Sequence, residues 1–416
     1  MDNFLKQIVE SIIAWQASLV IRKHAPQIVA VTGNIGKTSA KDAIVTVLSR
    51  FSYVRKSGTI TANGIGIPLA IIGAADPGRD IFLWLSVLWR GLSVALFHTN
   101  YPDYLILEIG ADRPREIAKI AKWLSPDVVV LTGFAKVPVH IEFFPNRDAI
   151  VREKQYLVDA LKHDGTLVVN ADDDDCLAIR AASPNAAVVY GTTNLADIRA
   201  SEASIVSEDG KPSGMTFKIS QGNNVVPVLI RGSVGIHSVY ASLAALAVAL
   251  AEKVNLVDAA QALAEYETPP GRMKLVPGKN GAIIVDDSYN SSPAAAASAL
   301  STLSDMKTKG RKIAILGDML ELGAHSLEEH TEIGKKAAAS ADILVTVGIR
   351  ARKIAEGALD AGMADDRIFE FDDSFETADR IGEILKNNDI ILVKGSRAMR
   401  MERIVKTIAL ESADET

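Results

Sequence analysis

The chain has 416 residues, 48% of them hydrophobic and 23% charged, which is length for two or three domains and the composition of a globular protein with a full core. A net charge of −6 argues against nucleic acid as the main partner, and the single cysteine, Cys176, excludes an internal disulfide and any multi-cysteine metal site. One cysteine fits a reducing compartment, and acidic Asp2 with an early Glu10 does not make a secretory leader, so the expected location is cytoplasmic.

Residues 1–25 read as an N-terminal helix. Within it, 4–21 is amphipathic, with Leu5, Ile8, Val9, Ile12, Ile13, Leu19 and Val20 apolar, and packing on the domain is the expectation. Ile28, Val29, Val31 and Thr32 form a β-branched run that predicts a buried parallel strand. Gly33, Asn34, Ile35, Gly36, Lys37, Thr38 and Ser39 follow at once, and a helix begins. Strand, glycine loop and helix form a phosphate cradle, because backbone N–H groups approach the oxygens and the helix N-terminus adds a positive dipole. In it Lys37, expected to face solvent, reaches the β/γ-phosphates of a nucleotide and the Thr38 hydroxyl holds Mg²⁺. The spacing is G-x-x-G-K-T rather than the longer G-x-x-x-x-G-K-[ST], since position 31 is Val. The run IFLWLSVLWRGLSVALF (81–97) has Arg90 and Gly91 at its middle and is shorter than the roughly 20 residues that span a bilayer. A buried or surface-docked helix is expected there, with membrane-surface association the alternative for 4–21 and 81–97.

Strands then alternate with helices: strands at 104–110, 127–133, 166–170 and 186–190, helices at 114–124, 147–161 and 172–182. This pattern predicts a mostly parallel sheet covered on both faces. Short alternating runs over 200–231 suggest an antiparallel region at the sheet edge, and 237–264 reads as helical. Thr268-Pro269-Pro270-Gly271 marks a domain boundary, giving a central domain 26–268 and a C-terminal domain 269–416. The second domain reads as doubly wound and Rossmann-like, with five strands at 282–287, 312–317, 342–348, 367–371 and 389–395, and the tail ESADET is expected to fray.

Glu108 ends a parallel strand, at the edge where open α/β sheets bind ligands. His140 lies in the loop after the next strand, and Lys154 follows in a helix, 14 residues later. Singly these are ordinary surface groups; together a carboxylate and an imidazole complete the shell of a magnesium ion already held by Thr38 and a nucleotide.

With TGNIGKTS (32–39), LEIG (107–110), His140 and Lys154, DDSYNSSP (286–293), ILGDMLELG (315–323) with His330, and VKGSRAMRME (393–402), the chain resembles the Mur ligases, and most closely the MurF type. The resemblance implies an ATP-dependent, amide-forming enzyme of peptidoglycan synthesis that joins D-alanyl-D-alanine to a muramyl tripeptide. It implies ATP and Mg²⁺ as cofactors, with Thr38, Glu108 and His140 at the metal. Lys154 stands where the family carries a carbamylated lysine that can help hold a second metal. Arg272, Asp287 and Asn290 would reach the nucleotide from the C-terminal domain, and Lys394, Ser396 and Arg397 would contact the carboxylate of the incoming dipeptide. His330 is family-typical and stands as a candidate catalytic residue, with an ordinary place in a helix as the alternative. The partners implied are small-molecule substrates, and a monomer is expected.

Two departures from the pattern stand out. The phosphate loop begins at residue 33, where the MurF type has a UDP-substrate domain before it, so a different mode of acceptor binding is expected. The motif G-x-H-N-V-x-N reads Gly235-Ile236-His237-Ser238-Val239-Tyr240-Ala241, without either asparagine, which implies loosened purine selectivity. A related ligase with another acceptor, of the folylpolyglutamate or cyanophycin type, is an alternative. So is a nucleotide-binding partner subunit, although one cysteine excludes the version that carries a four-cysteine zinc ribbon.

Overall fold

The structure is a computed structural model that describes residues 3–58, 65–78, 80–97 and 100–410, and of these the side chains of 3–7 and 81 are not described. The Leu5 side chain and the tail ESADET therefore lie outside the described residues.

The first sheet contains β1 (Gln27–Thr32), β2 (Val54–Lys56), β3 (Tyr104–Glu108), β4 (Val128–Leu131), β5 (Thr166–Asn170), β6 (Ala186–Gly191), β7 (Ile198–Glu208), β8 (Lys211–Gln221) and β9 (Asn224–Arg231). Their spatial order is β2-β3-β1-β4-β5-β6-β7-β8-β9. Pairing is parallel from β2 to β7, and β7, β8 and β9 form an antiparallel edge. Because strand residues alternate between faces, the apolar run of β1 feeds two cores. Val29 and Val31 pack with α2 (Lys37–Ser49) and two helices described below, while Ile28 and Ala30 face the opposite layer. That layer includes α1 (Asn3–His24), α3 (Gly66–Ile72), α4 (Ile81–Leu96), α5 (Glu116–Ala121), α6 (Arg147–Asp159) and α7 (Asp174–Ala182).

The stretch expected as one helix over 237–264 is two, α8 (Ile236–Ala251) and α9 (Leu256–Ala262). Lys253 breaks it at φ 60°, and the Asn255 side chain restarts it by accepting a hydrogen bond from Val257 N. β2 was not expected from the sequence, being three residues long with two of them basic.

The second sheet contains β10 (Lys274–Pro277), β11 (Ile283–Asp287), β12 (Lys312–Gly317), β13 (Ile343–Val347), β14 (Ile368–Phe371) and β15 (Ile390–Lys394), in order β10-β11-β15-β12-β13-β14. The last five strands are parallel, and β10 adds an antiparallel edge that Pro277 hid from sequence reading. On one face lie α10 (Pro293–Asp305), α11 (Ser326–Ser340) and α12 (Arg352–Asp360), and on the other α13 (Ser374–Ile384) and α14 (Glu402–Ile408).

Helix α4 covers the apolar run 81–97. Among the described residues no helix is long and apolar enough to cross a membrane. A Cβ at Gly91 would lie 2.3 Å from Gln16 Oε1, so glycine there lets α4 approach α1 closely.

Candidate active site

The loop expected to cradle phosphate needs its glycines. Gly33 has φ 142°, and a Cβ on it would meet Thr132 Oγ1 at 2.2 Å; Gly36 has φ 78°. Asn34 N donates to Gly133 O at 2.8 Å, which ties the loop to the end of β4. Lys37 opens α2 and is half-buried, not fully open to solvent as expected. Burial lowers its pKa, with Glu108 and Asp112 opposing and Arg272 reinforcing that shift.

Thr38 and Glu108 do meet. Thr38 Oγ1 donates to Glu108 Oε1 at 3.0 Å, and Lys41 Nζ lies 3.2 Å from Glu108 Oε2. Glu108 N donates to Ser57 Oγ at 2.9 Å. Sequence reading missed Lys41, although a lysine on the buried stripe of α2 beside Thr38 and Ile44 was a signal. A hydroxyl and a carboxylate are hard oxygen donors, so this pair fits magnesium.

His140 is not brought to that pair. Held at φ 71°, it points Nε2 to Asp112 Oδ1 at 3.3 Å, while Nδ1 lies 2.5 Å from Glu321 Oε2 but outside hydrogen-bond geometry. Glu321 comes from the loop after β12 in the other sheet, so this contact joins the two halves of the molecule. Among the described residues no group of three or more His, Cys, Asp or Glu side chains is arranged to hold a metal alone. Any such ion would depend on ligand oxygens as well.

Lys154 is buried on α6, with its pKa lowered to about 7 by burial and by Lys37, against Glu153, Asp112 and Glu116. Glu153 is committed elsewhere, accepting from Arg115 N, Ile117 N and Ala118 N at the start of α5. The unfolded lysine holds its proton to the ordinary value of 10.5, whereas the folded one releases it from about 7. Folding therefore sheds a proton between those values, and stability rises with pH across that window. Lys154→Met should raise Tm relative to wild type more at about pH 6.5 than at about pH 9.5 in CO₂-free buffer. Thermal melts showing a pH-independent difference would contradict the buried, depressed amine.

The facing wall comes from the C-terminal half. Arg272 Nη2 lies 3.4 Å from Thr38 Oγ1, and its guanidinium stacks 4.1 Å from the Tyr289 ring centre. Asp287 Oδ2 and Lys394 Nζ form a buried pair at 2.6 Å, and Lys394 also donates to Asn290 O at 2.8 Å. Lys394 is therefore already paired, not waiting for a substrate carboxylate. Arg272, Asp287, Asn290 and Lys394 line one cleft with Asn34, Gly36 and Ser39.

Ser396, Arg397 and His330 do not line it. Ser396 Oγ accepts from Leu320 N at 2.8 Å, and Arg397 donates to the Tyr289 hydroxyl at 3.0 Å. His330 is fully buried, its Nε2 accepting from Met319 N at 2.9 Å and its Nδ1 lying 2.6 Å from Ser326 O. Both ring nitrogens are used, so the expectation of a catalytic His330 gives way to a positioning one: it holds the loop that carries Glu321.

Three longer helices start at this cleft, α2 at Gly36–Ser39, α8 at His237 and α10 at Ser292 and Ala295. Each presents unpaired N–H groups and a positive dipole end, which suits polyphosphate. Asn34 Oδ1, Arg272 Nε and His237 Nε2 are buried without partners, and all three residues line the cleft. Buried polar atoms are normally satisfied, so these fit a polar ligand. His237 was quoted in a sequence motif but not taken as a site residue; burial lowers its pKa, with Asp287 opposing and Lys394 and Arg272 reinforcing.

A second cavity, of about 180 Å³, opens beyond the loop between Gly36, Phe134, Asn170, Asp172, Tyr240 and Ala241. Ser238 turns away to bond Ser233 at 2.6 Å, whereas Ala241 is part of the wall. Tyr240 OH donates to Asp172 Oδ2 at 2.8 Å, an oxygen that also accepts from Thr192 N and Oγ1. Burial pushes the Asp172 pKa up, but these hydrogen bonds outweigh it and hold the carboxyl below its ordinary value. With no free amide at positions 238 and 241, a base seated here is read weakly. The kcat/KM for GTP should fall within about tenfold of that for ATP, because Asn170, Asp172 and Tyr240 in the wall are bonded to protein groups and positions 238 and 241 offer the base no amide. Steady-state turnover with both nucleotides checks this, and a preference of about 10⁴ would show another group reading the base.

Residues 31–249 match the Mur ligase middle domain, and residues 271–397 match the Mur ligase glutamate ligase domain. The chain belongs to the Mur ligase family. It is 28% identical over 395 residues to the UDP-N-acetylmuramoyl-tripeptide–D-alanyl-D-alanine ligase of Bacillus subtilis, covering 94% of this chain and 78% of that protein. The fold of this Mur ligase superposes on MurF from Thermotoga maritima in complex with ADP with a TM-score of 0.76 and 24% identity, covering 96% of this chain and 83% of that one. It also superposes on the folylpolyglutamate synthase of Mycobacterium tuberculosis, with a TM-score of 0.66, 14% identity and 95% of each chain covered, which speaks to fold alone.

Proposed function

We propose that this Mur ligase is an ATP-dependent amide ligase of the MurF type, joining D-alanyl-D-alanine to a muramyl tripeptide in peptidoglycan synthesis. The cleft carries the reading: a glycine loop with Lys37 faces Arg272 and the Asp287–Lys394 pair from the other half.

A carboxylate is a poor electrophile. Transfer of the γ-phosphoryl group of ATP to a carboxylate oxygen gives an acyl phosphate and ADP. The dipeptide amine then attacks the acyl carbon, the amide C–N bond forms, phosphate leaves with the C–O bond, and the amine loses a proton. Lys37 and Arg272 stand where negative charge builds during transfer. Thr38 and Glu108 are the residues that would hold Mg²⁺, joined by His140 once it leaves Asp112 and Glu321. Bound there, the ion supplies further charge neutralisation. Lys154, with a pKa near 7, is substantially neutral at physiological pH, and only the neutral amine adds to CO₂. This supports a carbamate at Lys154, with loss of one proton. Asn34, Asp287 and Asn290 orient the nucleotide from the two walls, and the cleft between the halves suits closure that keeps water from the acyl phosphate. Arg397, which donates to the Tyr289 hydroxyl at 3.0 Å, is the cation assigned to the dipeptide carboxylate. A monomer working in the cytoplasm is part of this reading.

Release of ADP should require both UDP-muramyl tripeptide and D-alanyl-D-alanine. Turnover with a folate or polyaspartate acceptor in their place, or none with any acceptor, would overturn the assignment.

A further inference from the structure

Helices α1 and α4 lie side by side, joined by a hydrogen bond from Gln16 Nε2 to Leu88 O at 2.9 Å and by His24 Nε2 at 3.0 Å from Val94 O. Their inner stripes, Ile13, Ala17 and Val20 on α1 and Trp84, Val87 and Val94 on α4, are buried. Their outer stripes are apolar as well. Ile8, Ile12 and Trp15 follow helical spacing on α1, and Phe82, Leu85, Trp89 and Leu96 do so on α4, all of them exposed, Phe82 by 82% and Trp89 by 71%. Helix α4 is apolar nearly all round, and such a helix belongs in a core or against an apolar phase. With 16 residues, α4 is too short to span a bilayer.

Beside this face lies a depression of about 370 Å³, with Arg55, Trp89, Arg90, Ser93, Asn100 and Tyr101 in its wall. It contains two guanidinium groups and no carboxylate, in a chain whose net charge is −6. Arg55 Nη1 donates to Ile71 O at 3.0 Å and Arg90 Nε to Ile72 O at 3.4 Å, so both are anchored on the end of α3. Tyr101, which donates to Ile71 O at 2.6 Å and lies 4.9 Å from the Arg55 guanidinium, fixes the floor. Each guanidinium has five N–H donors, so most remain for an anion.

We propose that the outer face of α1 and α4 seats this enzyme on an anionic phospholipid surface. Arg55 and Arg90 take a headgroup phosphate, and Trp15, Phe82 and Trp89 enter the interface. Tryptophan and phenylalanine beside arginine are the side chains that settle at the boundary of headgroups and acyl chains. A second copy of the chain fits less well, because among the described residues the stripes of Ile8, Ile12 and Trp15 and of Phe82, Leu85, Trp89 and Leu96 contain no carboxylate for the arginine pair.

The test is co-sedimentation of the full chain with vesicles of phosphatidylcholine alone, or containing about one-third phosphatidylglycerol, with tryptophan emission followed in parallel. The anionic vesicles should bind about 30-fold more tightly, as two arginines near such a surface imply, and shift the emission to the blue. Arg55→Gln with Arg90→Gln should abolish that preference, and Phe82→Ser with Trp89→Ser should weaken binding to both vesicles by more than about tenfold. If a variant fails to fold, the wild-type contrast between the two vesicles decides alone. No binding to either vesicle, or equal binding to both, overturns the proposal. So does a dimer in light scattering that the Phe82 and Trp89 changes convert to monomer, since a second copy would then cover the face.

Discussion

Lys37→Ala should lower ATP-dependent ligation by about 10²- to 10³-fold, the usual loss when one preorganised charge is removed from a site of charge development. The fold should survive. Glu108, one of the carboxylates facing Lys37, keeps Thr38 at 3.0 Å and Lys41 at 3.2 Å, so no buried charge is orphaned. A second effect separates this from simple damage. The Lys37 charge is, after burial, a cause of the depressed Lys154 pKa, so its removal should move Lys154 upward and reduce carbamate at a fixed pH. Single-turnover formation of ADP and a ¹³C-bicarbonate label read by NMR would measure the two consequences. Turnover within a few-fold of wild type would remove the phosphate-loop role from Lys37.

Asp287→Ala should destabilise the protein by about 3–5 kcal/mol, because it leaves the Lys394 ammonium buried with one carbonyl, Asn290 O, in place of its carboxylate. Asp287→Asn combined with Lys394→Met, which removes the charge as well, should recover most of that loss. Urea denaturation of the three proteins distinguishes a buried pair from a solvated one. A loss of under about 1 kcal/mol for Asp287→Ala would show that water reaches the site. If Asp287 also contacts the nucleotide, the double variant should regain stability while ADP affinity remains weakened.

The two candidate lysines differ in how much of their proposed role could be read locally. For Lys37 the neighbours in sequence suffice, since strand, glycines and helix start lie within a dozen residues. For Lys154 only the interval from His140 pointed to function, and the depressed pKa comes from packing on α6 beside Lys37, a residue more than a hundred positions away. The mostly parallel pairing followed from alternating strands and helices, but β2 and β10 escaped because short edge strands with basic or proline residues lack an apolar period.

What the sequence determined by itself was therefore local chemistry: buried parallel strands from apolar runs, a glycine loop between a strand and a helix, and a carboxylate placed at a strand end. Those depend on backbone sterics and on side chains within one turn or one strand. Only the tertiary structure decided the pairings. It turned His140 to Asp112 and Glu321, closed Asp287 on Lys394, placed Lys41 beside Glu108, and gave both nitrogens of His330 to the backbone. Apart from the local bonds of His330, each such pairing depends on the distance between separate elements of the chain, and on the low dielectric that makes an unpaired buried charge costly, neither of which any short run of residues contains.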